Sequence, residues 1–191
     1  MTTIARFTIR DLDELPDREG WRYEIIDGEL YVTKAPTTEH QIVCTNLSTS
    51  LGQWNREVGL GFVMQAPGVI FADDDAAIPD VIWVRRETIR GNLDSARHLR
   101  AVAPELVIEV LSPEAENRRR DRELKLQLYG RRRVLEYWMV DWQIRRVEIY
   151  RLEGMSLRLA ATLVEGDTLE SPVLPGFSCP VSDLFEGLSG L

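Results

Sequence analysis

Lysine is nearly missing from this 191-residue chain: only Lys34 and Lys125 stand among its 23 basic residues, and the rest are arginine. Cysteine is as sparse. Cys44 and Cys179 show no metal-ligand spacing, and two cysteines build no disulfide framework, so a reduced, cytoplasmic protein is expected. No apolar run approaches the ~18 residues of a membrane span, and the opening Met-Thr-Thr-Ile-Ala-Arg-Phe has no long apolar core of a secretory signal. No membrane partner is therefore expected. Repeats and internal linkers are also missing. The length suits one domain with its own hydrophobic core over residues 1–191. The expected division is a core of about 8–151 and a C-terminal strand and tail over 152–191.

The net charge of −8 argues against a nucleic-acid partner, because phosphate binding needs positive surface. Its distribution softens that objection. Residues 118–151 hold eleven basic and five acidic side chains, a local balance of +6 against −14 elsewhere. Arg118, Arg119 and Arg120, with Arg131 and Arg132, are candidates for a phosphate-contacting surface. Solvated helix and strand faces are the competing reading of the same run.

The order of elements points to a mixed α/β domain. A short helix is expected over Thr8–Leu15, with Thr8 as cap. Trp21–Ile26 and Glu29–Lys34 read as strands around Asp27-Gly28, a strong type I′ hairpin signal. A long amphipathic helix follows, with Thr38 and Gln41 at capping-box spacing and positions 40, 44, 47, 51, 54 and 58 on one apolar stripe. Strands are predicted over 61–65, 68–72 and 78–84, then a polar stretch over 85–103 able to hold a helical turn. Leu106–Leu111 reads as a strand buried on both faces. A second helix is predicted over Glu114–Gly130, then strands over 135–141, 144–151 and 157–164, and a tail packed by Phe177, Val181, Leu184 and Phe185.

Chemistry gathers on the buried elements. Glu109 stands in Leu-Val-Ile-Glu-Val-Leu, facing as Val107 and Leu111 do, where a carboxylate needs a partner, a proton or a metal. An edge position, or a salt bridge to an arginine, is the structural alternative. Asp80 opens Asp-Val-Ile-Trp-Val; adjacent strands lie ~4.8 Å apart, so the two acids are placed to share a divalent cation. On the second helix Leu124, Leu128 and Tyr129 form the apolar side, which draws Asp121 and Lys125 inward with them. A lysine whose stem covers the helix edge is the alternative. His40 on the apolar stripe is either a hydrogen-bonded core histidine or an auxiliary residue beside the metal. Glu24 on the first hairpin is a further candidate acid. Cys44 lies on a core stripe, and no serine has a legible base, so a nucleophilic mechanism has little support.

Tyr23-Glu24-Ile-Ile-Asp-Gly-Glu29, His40, Pro79-Asp80, Glu109-Val-Leu-Ser-Pro113, Asp121…Lys125…Tyr129 and Glu136-Tyr-Trp-Met-Val-Asp141 together resemble the Uma2 family, also called DUF820. That family resembles a branch of the restriction-endonuclease-like PD-(D/E)xK nuclease superfamily. The resemblance spans about Thr8 to Arg151, and Pro175-Gly-Phe177 is similar too. It implies a central mixed β-sheet flanked by helices, with an N-terminal hairpin and a long amphipathic helix. It also implies a phosphodiesterase site in which Asp80, Glu109 and the Val110 backbone carbonyl hold Mg²⁺ or Mn²⁺. The motif lysine would fall two residues after Glu109, where Leu111 stands; Lys125 on the next helix takes its place. Arg133 stands where the family often has glycine, and Trp142 where proline is common.

The expected function is magnesium-dependent endonuclease action on nucleic acid, with DNA as the expected substrate. Acting on two strands would suit a homodimer, although no interface is legible in the sequence. A non-catalytic nucleic-acid-binding or assembly module on the same fold is the competing reading, and hydrolysis of a small phosphoester is a third.

Overall fold

The computed structural model describes residues 6–12, 14–16, 19–94 and 98–189. A four-residue helix, α1 (Ile9–Leu12), opens them. Thr8 is bound at both its backbone N–H and its hydroxyl by the Asp11 carboxylate. The helix is shorter than the expected Thr8–Leu15, and position 13 lies outside the described residues. Strands β1 (Trp21–Ile26) and β2 (Glu29–Lys34) pair antiparallel from Trp21↔Lys34 to Ile26↔Glu29. Asp27 and Gly28 both take positive φ, 52° and 74°, as the type I′ turn requires.

Helix α2 spans Thr38–Val58. Its cap is Thr37, one residue before the position that the capping-box spacing suggested: the Thr37 side chain accepts the His40 N–H, and its carbonyl accepts that of Gln41. His40, Cys44, Leu47, Leu51 and Trp54 are buried as the stripe predicts. Val58 is 38 % exposed because the helix ends beside it at Gly59, whose φ of 66° stops the chain.

Then come β3 (Gly61–Gln65), β4 (Val69–Ala72), β5 (Asp75–Ala77) and β6 (Val81–Arg85). The expected 78–84 strand begins later, at Val81. Pro79 has no N–H to give a ladder, and the Ile78 N–H donates to the Glu24 carboxylate instead. The polar stretch holds a one-turn helix, α3 (Arg86–Ile89), and a short strand, β7 (Leu99–Arg100). Strand β8 (Leu106–Val110) follows. The second long helix is continuous over 115–131 but changes pitch: α4 (Ala115–Arg119), a π turn (Arg120–Lys125) and α5 (Leu126–Arg131). Strands β9 (Glu136–Asp141), β10 (Arg146–Glu153), β11 (Ser156–Val164), β12 (Thr168–Glu170) and β13 (Ser178–Pro180) lead to a 3₁₀ turn at Val181–Phe185.

The strands form two larger sheets and a hairpin, where the sequence suggested one sheet. The six-stranded sheet runs β11-β10-β9-β8-β6-β3 and is antiparallel except for β8–β9; the five-stranded sheet runs β2-β1-β5-β4-β7. A parallel pair needs a crossover, and the helix over 115–131 supplies it. Alternation divides the core in two. Trp83, Ile108, Val110 and Trp138 face α2 and the C-terminal segment, including Leu174, Phe177 and Phe185. Ile82, Val107, Leu111 and Met139 face the crossover helix and the smaller sheet. Glu109 lies between Val107 and Leu111 and therefore turns toward that second face.

At one position the packing admits only glycine. A Cβ on Gly61 would run into the Val84 carbonyl oxygen and come within 2.8 Å of the Trp83 ring. Gly61→Ala is expected to lower unfolding stability by about 1–3 kcal/mol, measured by urea denaturation, because β3 must shift away from β6. An unchanged midpoint would contradict this packing.

Candidate active site

Four buried carboxylates meet between the two sheets and the crossover helix. Glu24 comes from β1, Asp80 from the entry to β6, Glu109 from β8 and Asp121 from the π turn, each between 2 and 9 % exposed. Lys125, 2 % exposed, lies among three of them: its Nζ is 2.9 Å from Glu109 Oε1, 3.1 Å from Glu24 Oε1 and 3.6 Å from Asp121 Oδ1. Arg120 adds a second cation, 3.1 Å from Asp121 and 3.8 Å from Glu24. The π turn sets this arrangement by carrying Arg120, Asp121 and Lys125 on one wider turn, an irregularity often found at functional positions. Tyr137 supports it from β9 by donating its hydroxyl to the Asp121 carbonyl, 3.1 Å away.

Asp80 is held from several sides. His40 Nε2 lies 3.0 Å from its Oδ2, the Val110 N–H donates to the same oxygen at 2.9 Å, and Arg22 stands 3.6 Å from Oδ1. Behind His40, Cys44 Sγ is 3.5 Å from Nδ1. A thiol proton directed at Nδ1 leaves the imidazole proton on Nε2, where it donates to Asp80. Burial opposes ionisation of Asp80, but the hydrogen bond from His40, the charge of Lys125 and the Val110 N–H hold its pKa below the usual value.

Glu109 behaves oppositely. Burial, with Asp80, Asp121 and Glu24 nearby, raises its pKa to about 8 despite the opposing charge of Lys125. Burial likewise pushes Asp121 up. Burial works against the Lys125 ammonium, but Glu109, Glu24 and Asp121 outweigh it and hold the lysine protonated. The excess of acids thus favours the protonated form of Glu109, and Lys125 acts as a fixed positive charge rather than as a base.

Lys125 Nζ and the Tyr129 hydroxyl, 2.6 Å away, both bind Glu109 through Oε1; neither uses Oε2. Pairing of β6 with β8 ends at Val81↔Ile108, so the Val110 N–H reaches Asp80 rather than a strand. In a strand the carbonyl of a residue points to the same side as its N–H, which directs the Val110 carbonyl toward Asp80. Two carboxylates and a carbonyl are hard oxygen donors of the kind that Mg²⁺ and Mn²⁺ take. The cleft they line also admits Arg22, Lys34, Ser112 and Asn117, and has ≈ 80 Å³ for small groups, several times the ~10–15 Å³ that one water needs. The donor set fits a hydrated divalent cation.

Of the residues singled out in the sequence, Asp80, Glu109, Lys125, Glu24, His40, Asp121 and Arg120 line this one cleft. The other arginines are held elsewhere. Arg118 pairs with Asp141 and Gln143, and Arg119 with Glu123. Arg131 and Arg132 clasp the buried Asp75, at 3.0 and 2.6 Å. Sequence reasoning missed Arg22 and Lys34. Arg22 was legible in principle, since it shares a strand face with Glu24 two residues on.

The family model described as "Putative restriction endonuclease", Uma2, matches residues 9–182. The chain belongs to the Uma2 family. A DUF820 protein from Anabaena variabilis, described as a "putative nuclease", shares its fold: the TM-score is 0.73 at 16 % identity, over 94 % of this chain and 97 % of the other. The type IIG restriction endonuclease BpuSI aligns at a TM-score of 0.43 and 14 % identity over 76 % of this chain but 15 % of its own, too remote for an argument. No curated protein matches the chain. The fold is thus restriction-endonuclease-like, as the resemblance implied, and folds of this kind generally use divalent metals. Among the described residues no helix is long and apolar enough to cross a membrane.

Proposed function

We propose that this Uma2 protein is a magnesium- or manganese-dependent nuclease that hydrolyses phosphodiester bonds of DNA, with Asp80, Glu109 and Lys125 at its centre. The observation that carries this reading is the convergence of Asp80, Glu109 and the buried Lys125 on one cleft between adjacent strands and a crossover helix. Asp80, Glu109 and the Val110 carbonyl would hold the metal. When bound, it supplies a Lewis acid for a phosphoryl oxygen and lowers the pKa of an attacking water. Lys125, kept charged by its carboxylate neighbours, stabilises negative charge as it develops on the phosphoryl group. His40 holds Asp80 in orientation through Nε2. Arg22 and Lys34, on the wall of the cleft, neutralise the phosphates beside the scissile bond.

The test supplies duplex and single-stranded DNA with Mg²⁺ or Mn²⁺ to wild type and to Asp80→Asn. Metal-dependent cleavage by wild type alone supports the reading; equal cleavage by both assigns the activity to a contaminant. A module that binds nucleic acid without cutting it would show no cleavage and need bind no metal.

The proton on Glu109 gives a second expectation. Metal binding must displace it, so below pH 8 the apparent Mn²⁺ affinity should rise with pH by up to about tenfold per unit and level off above. Calorimetry in buffers of different ionisation enthalpy should show close to one proton released at pH 6.5; no release would mean that Glu109 is already ionised. In the metal-free protein the raised pKa acts in the other direction. Its stabilising contribution is full below the unfolded carboxyl range and is lost as pH rises through about 8.

A further inference from the structure

The metal cleft has ≈ 80 Å³ of free space, which suits a hydrated cation and a phosphoryl group. Pockets that take whole small molecules are larger, about 300–1,000 Å³. A second cavity, of ≈ 520 Å³, adjoins the cleft, and Asn117 and Arg120 line both. Arg120 stands in the wall between them. Its Nη2 is 3.1 Å from Asp121 on the cleft side, and its Nη1 is 3.5 Å from Asn117 Oδ1.

Residues 29–32 of β2 line one side of this cavity, and Leu124 of the π turn lines the other. Successive side chains of a strand point to opposite faces, so four residues in a row line one cavity only along the edge of the strand. Among the described residues β2 is the outermost strand of its sheet. Its outer edge therefore turns backbone N–H and C=O groups toward the cavity. Tyr31 adds an aromatic ring, which packs on the second core and donates its hydroxyl to Glu29 at 2.7 Å. The Asn117 amide carries two N–H donors that its contact with Arg120 does not use. An open strand edge, a fixed aromatic ring and an amide suit a nucleobase, which is held by hydrogen bonds to its Watson–Crick edge and by stacking.

We propose that this cavity is a subsite for an unpaired nucleobase, that of the nucleotide next to the phosphate at Asp80, Glu109 and Lys125. A base inside a duplex cannot enter, because its Watson–Crick edge is occupied and its faces are stacked. The substrate class is therefore a strand with an unpaired nucleotide beside the scissile bond, in a bulge or a single-stranded stretch. The inference rests on the proposed nuclease function, which brings the phosphate to the cleft.

Three fluorescent DNA probes test it by anisotropy, with Ca²⁺ replacing Mg²⁺ so that binding is read apart from cleavage. One probe is a fully paired duplex, one carries a single bulged thymidine, and one carries a bulged abasic nucleotide at the same place. The abasic bulge keeps the backbone and its phosphates but lacks the base. The full-length wild type should bind the bulged thymidine about tenfold more tightly than the abasic bulge, on the scale of one base stacking on an aromatic ring. Val32 lines the cavity and is 41 % exposed, so Val32→Trp fills the space from the solvent side. In that variant the ratio should fall to about one. Equal wild-type affinity for the two bulges overturns the subsite while leaving nucleic-acid binding intact; the strand edge is then open to another occupant, such as an extended peptide. An unchanged ratio in Val32→Trp overturns it as well. Should no probe bind, the nuclease reading falls and the subsite with it. The wild-type ratio decides even where Val32→Trp fails to fold.

Discussion

Lys125→Met should destabilise the metal-free protein by about 3–5 kcal/mol, the usual consequence of removing one partner from a buried ion pair. The shape of the side chain is largely kept and the positive charge is lost. Glu109, Glu24 and Asp121, each within 4 Å of Nζ, then face one another with the part-buried Arg120 as their neighbouring cation. Their carboxyl groups take up protons to relieve the repulsion. The deficit should therefore deepen as pH rises above neutral, where those protons are lost, and shrink in mild acid. A divalent cation should restore part of the stability by supplying the missing charge. Urea denaturation of wild type and variant at pH 5.5, 7 and 8.5, with and without Mg²⁺, reads all three effects. A variant as stable as wild type at pH 8.5 would show that the cluster is not held by this charge.

Glu109→Gln should separate stability from metal binding. The raised pKa of Glu109 favours its protonated form at pH 7, the form that glutamine imitates. Its carbonyl oxygen can accept the bonds that Lys125 and Tyr129 make to Oε1. The melting temperature is expected to stay near that of wild type at pH 7 and to exceed it at pH 9, where wild-type Glu109 ionises in a buried site. Mn²⁺ affinity should nevertheless fall by more than about 100-fold, because a metal ligand has gone, and cleavage should fall with it. Loss of fold in Glu109→Gln would mean that the ionised carboxylate holds the cluster together. Unchanged Mn²⁺ affinity would remove Glu109 from the metal set.

Much of the site was legible because it depends on local periodicity. Alternation along Leu106–Val110 turns Glu109 to the same face as Val107, and the apolar side of the second helix carries Asp121 and Lys125 inward with Leu128 and Tyr129. What failed was of two kinds. Boundaries moved where one atom decided them: Pro79 withheld an N–H and delayed β6, and Thr37 rather than Thr38 reached the first turn of α2. The arginine run read either as a phosphate-contacting surface or as solvated helix and strand faces, and neither reading foresaw that most of those side chains are paired with acids distant in sequence, such as Arg118 with Asp141 and Arg132 with Asp75. Charge counts along a chain cannot reveal such pairing, since the partners meet only when strands and helices pack.

By itself the sequence determined the hairpin at Asp27-Gly28, the long helix with its buried stripe, the two acid-bearing strands and the inward-facing lysine, because each follows from backbone sterics or from burial of an apolar face. Tertiary structure alone decided that the strands divide into two sheets, that Glu24 and Arg22 from the first hairpin reach the acids of β6 and β8, and that the crossover helix widens into a π turn above them. Those contacts join residues up to about a hundred positions apart, and no local preference encodes them. They arise when β8 and β9 pair in parallel, which forces the connecting helix over one face of the sheet and brings Lys125 down onto Glu109.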